Sequence, residues 1–429
     1  MTLRVVVTGL IAQHPRLGGM TWHYLQYVKG LQAMGHDVYY IEDSGEWPYN
    51  WDGGARGDDW VERDPTANIA HLRWVMAGCG MDDRWSYRFP LEDRWFGMSG
   101  RRRREIIASA DLLLNVSGSL LDPSRYRGAG RMAYIDSDPV FTQLPLVVEP
   151  DGELAKQVRA HDVHFSFGQR LDRVPPTPFA WQPTRQPIVL EDWEGAGPPG
   201  PAYTTVMSWT SYAPIVHDGT VYGQKDREMA RFLDLPRRVP DVQLEIALPD
   251  QEHAEWTSPP PPGTPVPVSE ATAEGPSGGK VAGLLSRAGW RPVDALERCG
   301  GVDRYREYVQ GSRGEWTVAK SGYVEGRSGW FSERSACYLA AGRPVVTQDT
   351  GYDGVLPTGE GLLAFSTMDE AVGALEDVEA RYHSHAGAAL DMAHEYFDAT
   401  RVLEALLDAA TGTARPAHGA GCAPAQSCS

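Results

Sequence analysis

The chain has 429 residues, 42% of them hydrophobic, and its 40 basic and 57 acidic side chains leave a formal charge of −17. Such a length predicts two domains, each with its own core. No segment approaches the ~20 apolar residues of a membrane span, and the negative charge argues against general affinity for nucleic acid or an anionic membrane. The cysteines (Cys79, Cys299, Cys337, Cys422 and Cys428) form no C-x-x-C pair and no Cys/His cluster at zinc spacing. Neither a disulfide framework nor a metal site is therefore expected, and the chain reads as a reduced, cytoplasmic protein.

Residues 3–9 (LRVVVTG) read as a first strand rather than a secretion signal, because they lack a basic leader and a small-residue cleavage site. A loop with Gly18-Gly19, a helix over about 20–34, a stop at Gly35-His36 and a strand at 37–42 complete a strand–loop–helix–strand unit of the nucleotide-binding kind. Further strands are predicted at 112–116, 132–135 and 163–167, with helices at 67–77, 101–109 and 152–160. The Pro- and Gly-rich stretch 175–201 closes the first domain, taken as 1–185, with 186–201 as linker. A second α/β series fills 202–410, with strands at 203–209, 242–248, 290–293, 315–319, 345–348 and 362–365. Its helices are predicted at 224–235, 281–288, 303–310 and 331–341, and then at 368–382, 388–397 and 400–410. Within it, 256–279 is a Pro/Gly/Ser-rich loop expected to be mobile, and 411–429 reads as a disordered tail.

The chemistry concentrates between the strand at 315–319 and the helix at 331–341. There Glu325 and Glu333 are separated by seven residues, with Arg327, Gly329, Trp330 and Phe331 between them. A loop leaving the carboxyl end of a strand and feeding a helix is where open α/β sheets bind ligands. The helix start favours phosphate, whereas a carboxylate accepts hydrogen bonds from sugar hydroxyls. Together they suit a ligand that is part anion and part polyol, such as a nucleotide sugar.

These motifs carry a resemblance. Gly18-Gly19 through Gly35-His36-Asp37-Val38 resembles the opening of GT-B glycosyltransferases of the large retaining, group 1 class. Glu325 and Glu333 match that class's Glu-x7-Glu signature, and Ala340-Ala341-Gly342-Arg343-Pro344-Val345-Val346 matches the Ala-x-Gly-x-Pro-Val-Val run that follows. Asp349-Thr350-Gly351 and Gly359-Glu360-Gly361-Leu362-Leu363 match segments further on. The likeness is specific over about 315–365, weaker over 3–42, and architectural elsewhere. It implies an α/β, GT-B fold: two Rossmann-like domains facing a central cleft, with a nucleoside-diphosphate sugar held mainly by the second. It also implies a retaining, metal-independent hexosyltransferase-like enzyme with no cofactor beyond the nucleotide-sugar co-substrate, acting on a small-molecule (natural-product) or glycan acceptor. Carried over by residue, Glu333 would bind the ribose hydroxyls and Glu325 the transferred sugar, while the Gly329–Phe331 backbone and Gly18-Gly19 would approach the donor.

Several residues keep two readings. The family's Arg/Lys pair for the diphosphate is incomplete: Lys225 is in place at a helix start, but the position six before it is Gly219. Lys320 or Arg327 could supply the second cation, and Lys225 could equally be a solvated lysine. Asp136-Ser137-Asp138 spells the D-x-D of the other glycosyltransferase fold, read here as a cleft-lining or turn feature, with Asp136 a candidate contact to donor or acceptor. His14, in the loop after the first strand, is either a general base or an ordinary loop histidine; His23 reads as a packed helix residue. The aromatic runs at 46–60 and 85–96 suit sugar or natural-product faces or packing beneath loops. An epimerase or phosphorylase of the same architecture, or a non-catalytic nucleotide-sugar binding subunit, is the alternative to a transferase.

Overall fold

The computed structural model describes residues 2–49, 62–248 and 281–412, together with the backbone of 271–272 and 275–276. The predicted tail beyond 412, most of the loop at 256–279, and Cys422 and Cys428 lie outside the described residues.

The first half is an eight-stranded sheet. Its strands are β1 (Arg4–Thr8), β2 (Asp37–Glu42), β3 (Trp85–Phe89), β4 (Arg94–Gly97), β5 (Leu112–Val116), β6 (Met132–Asp136), β7 (Val163–Ser166) and β8 (Trp181–Pro183). They lie in the order β4-β3-β2-β1-β5-β6-β7-β8. All pair in parallel except β3 with β4. Central strands covered on both faces need unbroken apolar runs, and Val5-Val6-Val7 and Leu112-Leu113-Leu114 are fully buried.

The second half contains β9 (Ala202–Val206), a hairpin of β10 (Ile215–His217) and β11 (Thr220–Tyr222), β12 (Gln243–Leu248), and a short pair, β13 (Ala271–Thr272) and β14 (Gly275–Pro276). It continues with β15 (Arg291–Asp294), β16 (Gly314–Thr317), β17 (Val345–Gln348) and β18 (Leu362–Phe365). Its main sheet is all parallel, in the order β15-β12-β9-β16-β17-β18.

In each sheet the chain builds outward from one strand, then returns to that strand's other side. The reversal falls between β1 and β5 in the first sheet and between β9 and β16 in the second. The crevice outside the carboxyl ends at such a point is where doubly wound sheets take ligands. Here the two crevices face each other.

Three expectations are corrected. The linker is buried in part: Ile188 and Trp193 are fully buried, and Trp193 packs against Trp22 and Tyr305 at the seam between the halves. The final helix, Ala399–Thr411, packs on the first-half helix Gly18–Ala33 instead of closing the second domain. Leu403 fills the notch at Gly30, where an added Cβ would sit 2.6 Å from Leu403 Cδ1. Linker and return run side by side: Ile188 N–H donates to Phe397 O (2.7 Å) and Ala399 N–H to Ile188 O (2.9 Å). Finally, the segment 320–331 is not all loop, since Ser321–Gly326 is a helical turn closed by Arg327 in the left-handed region (φ 43°).

Candidate active site

A cavity of about 500 Å³ lies between the facing sheet edges. Its two walls are chemically unlike.

The second-half wall is charged. Lys225 begins the helix Lys225–Met229. It is 8% exposed and lines the cavity, and its ammonium has no hydrogen-bond or ion-pair partner among the described residues. Burial pulls its pKa well below the usual lysine value; Arg334 and Lys320 pull the same way and Glu315 opposes. Arg334 faces the same space. Its Nε donates to Glu315 Oε1 (2.5 Å), Nη1 to Val206 O (2.7 Å) and Nη2 to Thr317 Oγ1 (3.1 Å). A guanidinium has five N–H groups, so two remain for a ligand. Glu333 opens the helix Glu333–Ala340 at the cavity. Cys337 Sγ–H donates to its Oε1 (3.2 Å), and burial raises its pKa to about 7.

The first-half wall carries one cation, Arg16, whose Nη2 donates across to Leu296 O (3.2 Å), and is otherwise uncharged. Gly18, Gly19, His23, Ser117 and Ser137 line it. His23 Nε2 lies 3.0 Å from Ser117 Oγ, which lies 2.8 Å from Ser137 Oγ. Burial lowers the His23 pKa to about 4, so the ring is neutral at pH 7. The glycines are required by close approach: an added Cβ at Gly18 would lie 2.2 Å from Gly301 O, and one at Gly19 would lie 3.0 Å from the Tyr305 ring. They let the first helix start against the helix Val302–Gln310 of the other half.

Neither a protein-family model nor a curated protein matches the sequence. Solved structures do match. Anabaena HepE in complex with UDP-glucose superposes with a TM-score of 0.55 at 10% identity, over 96% of this chain and 100% of that one. An alpha-glucosyltransferase in complex with UDP-glucose and DNA containing an abasic site gives 0.51 at 10%, again over 96% and 100%. Sucrose-phosphate synthase from Thermosynechococcus elongatus gives 0.51 at 11%, over the same shares. The chain has the GT-B fold.

Within this GT-B frame the expected site residues separate. Lys225, Lys320, Trp330, Glu333, Gly18 and Gly19 all line the cavity. Glu325 does not: it is exposed near the end of its short helix. Arg327 pairs with Asp349 (2.8 Å), and it too lies outside the lining. The Gly329 N–H donates to Thr350 O (3.0 Å), and Phe331 O accepts from Gln186 Nε2, so this backbone is partly spent on the fold. Phe331 itself is buried between Tyr352 and Phe397.

Asp136 is a structural knot. It is 1% exposed and accepts from Ser166 Oγ (2.7 Å), Thr142 Oγ1 (2.7 Å), Gln143 Nε2 (2.8 Å) and the Asp138 N–H (2.9 Å). Four donors leave it no function toward a ligand. His14 stacks on Tyr49 at 4.9 Å, outside the lining, and burial lowers its pKa to about 4. Among the described residues no group of three or more His, Cys, Asp or Glu is placed to hold a metal ion, and no helix is long and apolar enough to cross a membrane.

Among the cavity residues the sequence reading did not place at the site are Arg334 and His23. Arg334 follows Glu333 directly, but a helix pattern gives no cue that position two of the first turn faces a ligand. His23 sits on the first turns of a helix whose buried face includes Trp22, Tyr24 and Tyr27, which made it look like packing.

Proposed function

We propose that this protein is a glycosyltransferase that moves a sugar from a nucleoside-diphosphate donor to the hydroxyl or similar nucleophile of a small-molecule or glycan acceptor. The observation that carries this reading is Lys225, a buried ammonium with no partner among the described residues, facing a cavity beside Arg334 and a helix N-terminus. A buried cation is costly unless something anionic completes it, and a diphosphate does so. On leaving, the nucleoside diphosphate gains negative charge, which fixed cations stabilise in the transition state. Glu333 is the group for the donor's ribose hydroxyls, and the cation Arg334 is the next residue of the same helix, so one helix start reads both parts of the nucleotide. Retention at the anomeric carbon is the outcome the Glu-x7-Glu resemblance favours. Inversion, with His23 taking the acceptor's proton, is favoured by the place of that neutral imidazole on the opposite wall.

Calorimetry with UDP, GDP and ADP, followed by proton NMR of the anomeric centre of the product, tests the reading. One nucleoside diphosphate should bind, and turnover should survive excess chelator, since Lys and Arg take the phosphate charge. Failure of all three to bind refutes it, and activity that needs added magnesium or manganese refutes the metal-free part.

A further inference from the structure

Asp136 of the D-x-D sequence is consumed by the fold, but Asp138 is not. Its carboxylate lies in the first half and is held from the second half by three groups. Lys320 Nζ reaches Asp138 Oδ2 at 3.1 Å and Oδ1 at 3.3 Å. The Tyr212 hydroxyl donates to Oδ2 (2.5 Å) and the Tyr323 hydroxyl to Oδ1. Tyr212 in turn accepts from Lys320 Nζ at 2.7 Å. The neighbouring Ser137 O accepts from Trp330 Nε1 (3.2 Å), and Trp330 stacks on Tyr323 at 4.0 Å. Two consecutive first-half residues thus gather four second-half side chains, of which Lys320, Tyr323 and Trp330 line the cavity.

The geometry of Lys320 gives this cluster a task. An ammonium has three N–H donors. Asp138 takes one and the Tyr212 oxygen takes a second. The Phe141 and Tyr212 rings lie 5.0 and 4.5 Å from Nζ and restrict its swing. Lys320 lines the cavity beside Lys225, so its third N–H is left for a ligand there. We infer that Asp138 is a positioning residue: with Tyr212 it fixes the Lys320 ammonium so that one N–H meets an anionic oxygen of the cavity ligand, and it does so only while the two halves are together. This rests on the diphosphate reading of the cavity. It makes cation placement depend on a residue of the half that does not hold the donor.

A double-mutant cycle tests it, with affinity for UDP and for inorganic pyrophosphate measured by calorimetry on the full chain. Lys320→Met should weaken both ligands roughly tenfold or more, as loss of a charge-assisted hydrogen bond does. Asp138→Asn should weaken both by a similar factor, and Tyr212→Phe, which changes no charge and removes only one leg of the ammonium, by a few-fold. In the Lys320→Met background, Asp138→Asn and Tyr212→Phe should each add less than about twofold, because the group they act through is gone. Losses that simply multiply across the cycle would show Asp138 to be structural and would overturn the inference while leaving the diphosphate reading intact. Wild-type protein that binds neither UDP nor pyrophosphate would overturn both. If Asp138→Asn does not fold, the Tyr212→Phe arm decides by the same criterion.

Discussion

The two walls of the cavity come from two doubly wound sheets of the same design, yet they solve different problems. The second-half wall collects Lys225, Lys320, Glu333 and Arg334, while the first-half wall offers glycines, two serines, a neutral histidine and a single cation, Arg16. The difference lies in how each helix start is used. In the second half the helix Glu333–Ala340 turns its first residues to the cavity. In the first half the helix Gly18–Ala33 also brings Gly18 and Gly19 to the cavity, but without a charged side chain, and its start is pressed on Gly301 and Tyr305, so it serves assembly of the halves as well. Equal folds therefore do not imply equal ligands: on the proposed reading the second-half wall takes the nucleotide and the first-half wall faces the acceptor.

Removing Lys225 should break that division most severely. Lys225→Met is expected to weaken nucleoside-diphosphate binding by about 2–5 kcal/mol, the range for truncating one member of a buried charge pair. The same change should raise the melting temperature of the ligand-free protein, because it deletes a buried charge with no partner among the described residues. Differential scanning calorimetry with and without UDP measures both, and a parallel fall in stability and binding would show that Lys225 is structural.

Glu333 sharpens the comparison through pH. Burial raises its pKa from 4.5 to about 7. The folded chain then holds a proton that the unfolded chain releases near 4.5. This group's contribution to stability is fully present below about pH 4.5 and is lost as pH rises through about 7. Ligand binding runs the other way, since the carboxylate is the better acceptor for ribose hydroxyls. UDP affinity should rise between pH 6 and 8, and Glu333→Gln should flatten that rise and cost roughly 1.5–3 kcal/mol. Inorganic pyrophosphate, which has no ribose, should lose no affinity in Glu333→Gln at any pH in that range.

The first-half wall predicts a smaller change in binding. His23→Ala should leave UDP affinity within about 0.5 kcal/mol, the usual scale for a site away from the contacts, while lowering turnover with an acceptor. Nucleotide binding that falls as far as in Glu333→Gln would erase the distinction between the walls. Smallest of all is Glu325→Ala. Its exposed side chain predicts changes in both stability and UDP affinity below about 0.5 kcal/mol, read from the same calorimetric titrations.

The sequence was most readable where burial leaves a periodic mark. The strands at 112–116, 345–348 and 362–365 were predicted at their observed bounds, and the helix at 281–288 likewise, because apolar runs and glycine stops coincide there. The β10–β11 hairpin was missed although Asp218-Gly219 is a strong two-residue turn signal. Both residues have positive φ (49° and 77°), and the flanking strands are only three residues each. The turn at Ser321–Gly326 was hidden by its two glycines, which lower helix propensity. The candidate site was half legible. Glu333 and Lys225 follow from strand-to-helix position, whereas the exposure of Glu325 and the capture of Lys320 by Asp138 depend on how two distant halves meet. That information is tertiary, and no local pattern encodes it.

The paired crossings at Ile188 and Phe397–Ala399 have a mechanical meaning. Two segments of backbone hydrogen-bonded side by side act as the spine of a book, permitting rotation about one line and resisting slip along it. The cluster around Asp138 is then the clasp on the fore-edge. Parting the halves at that edge would free Lys320 from Asp138 while the paired crossings stay joined.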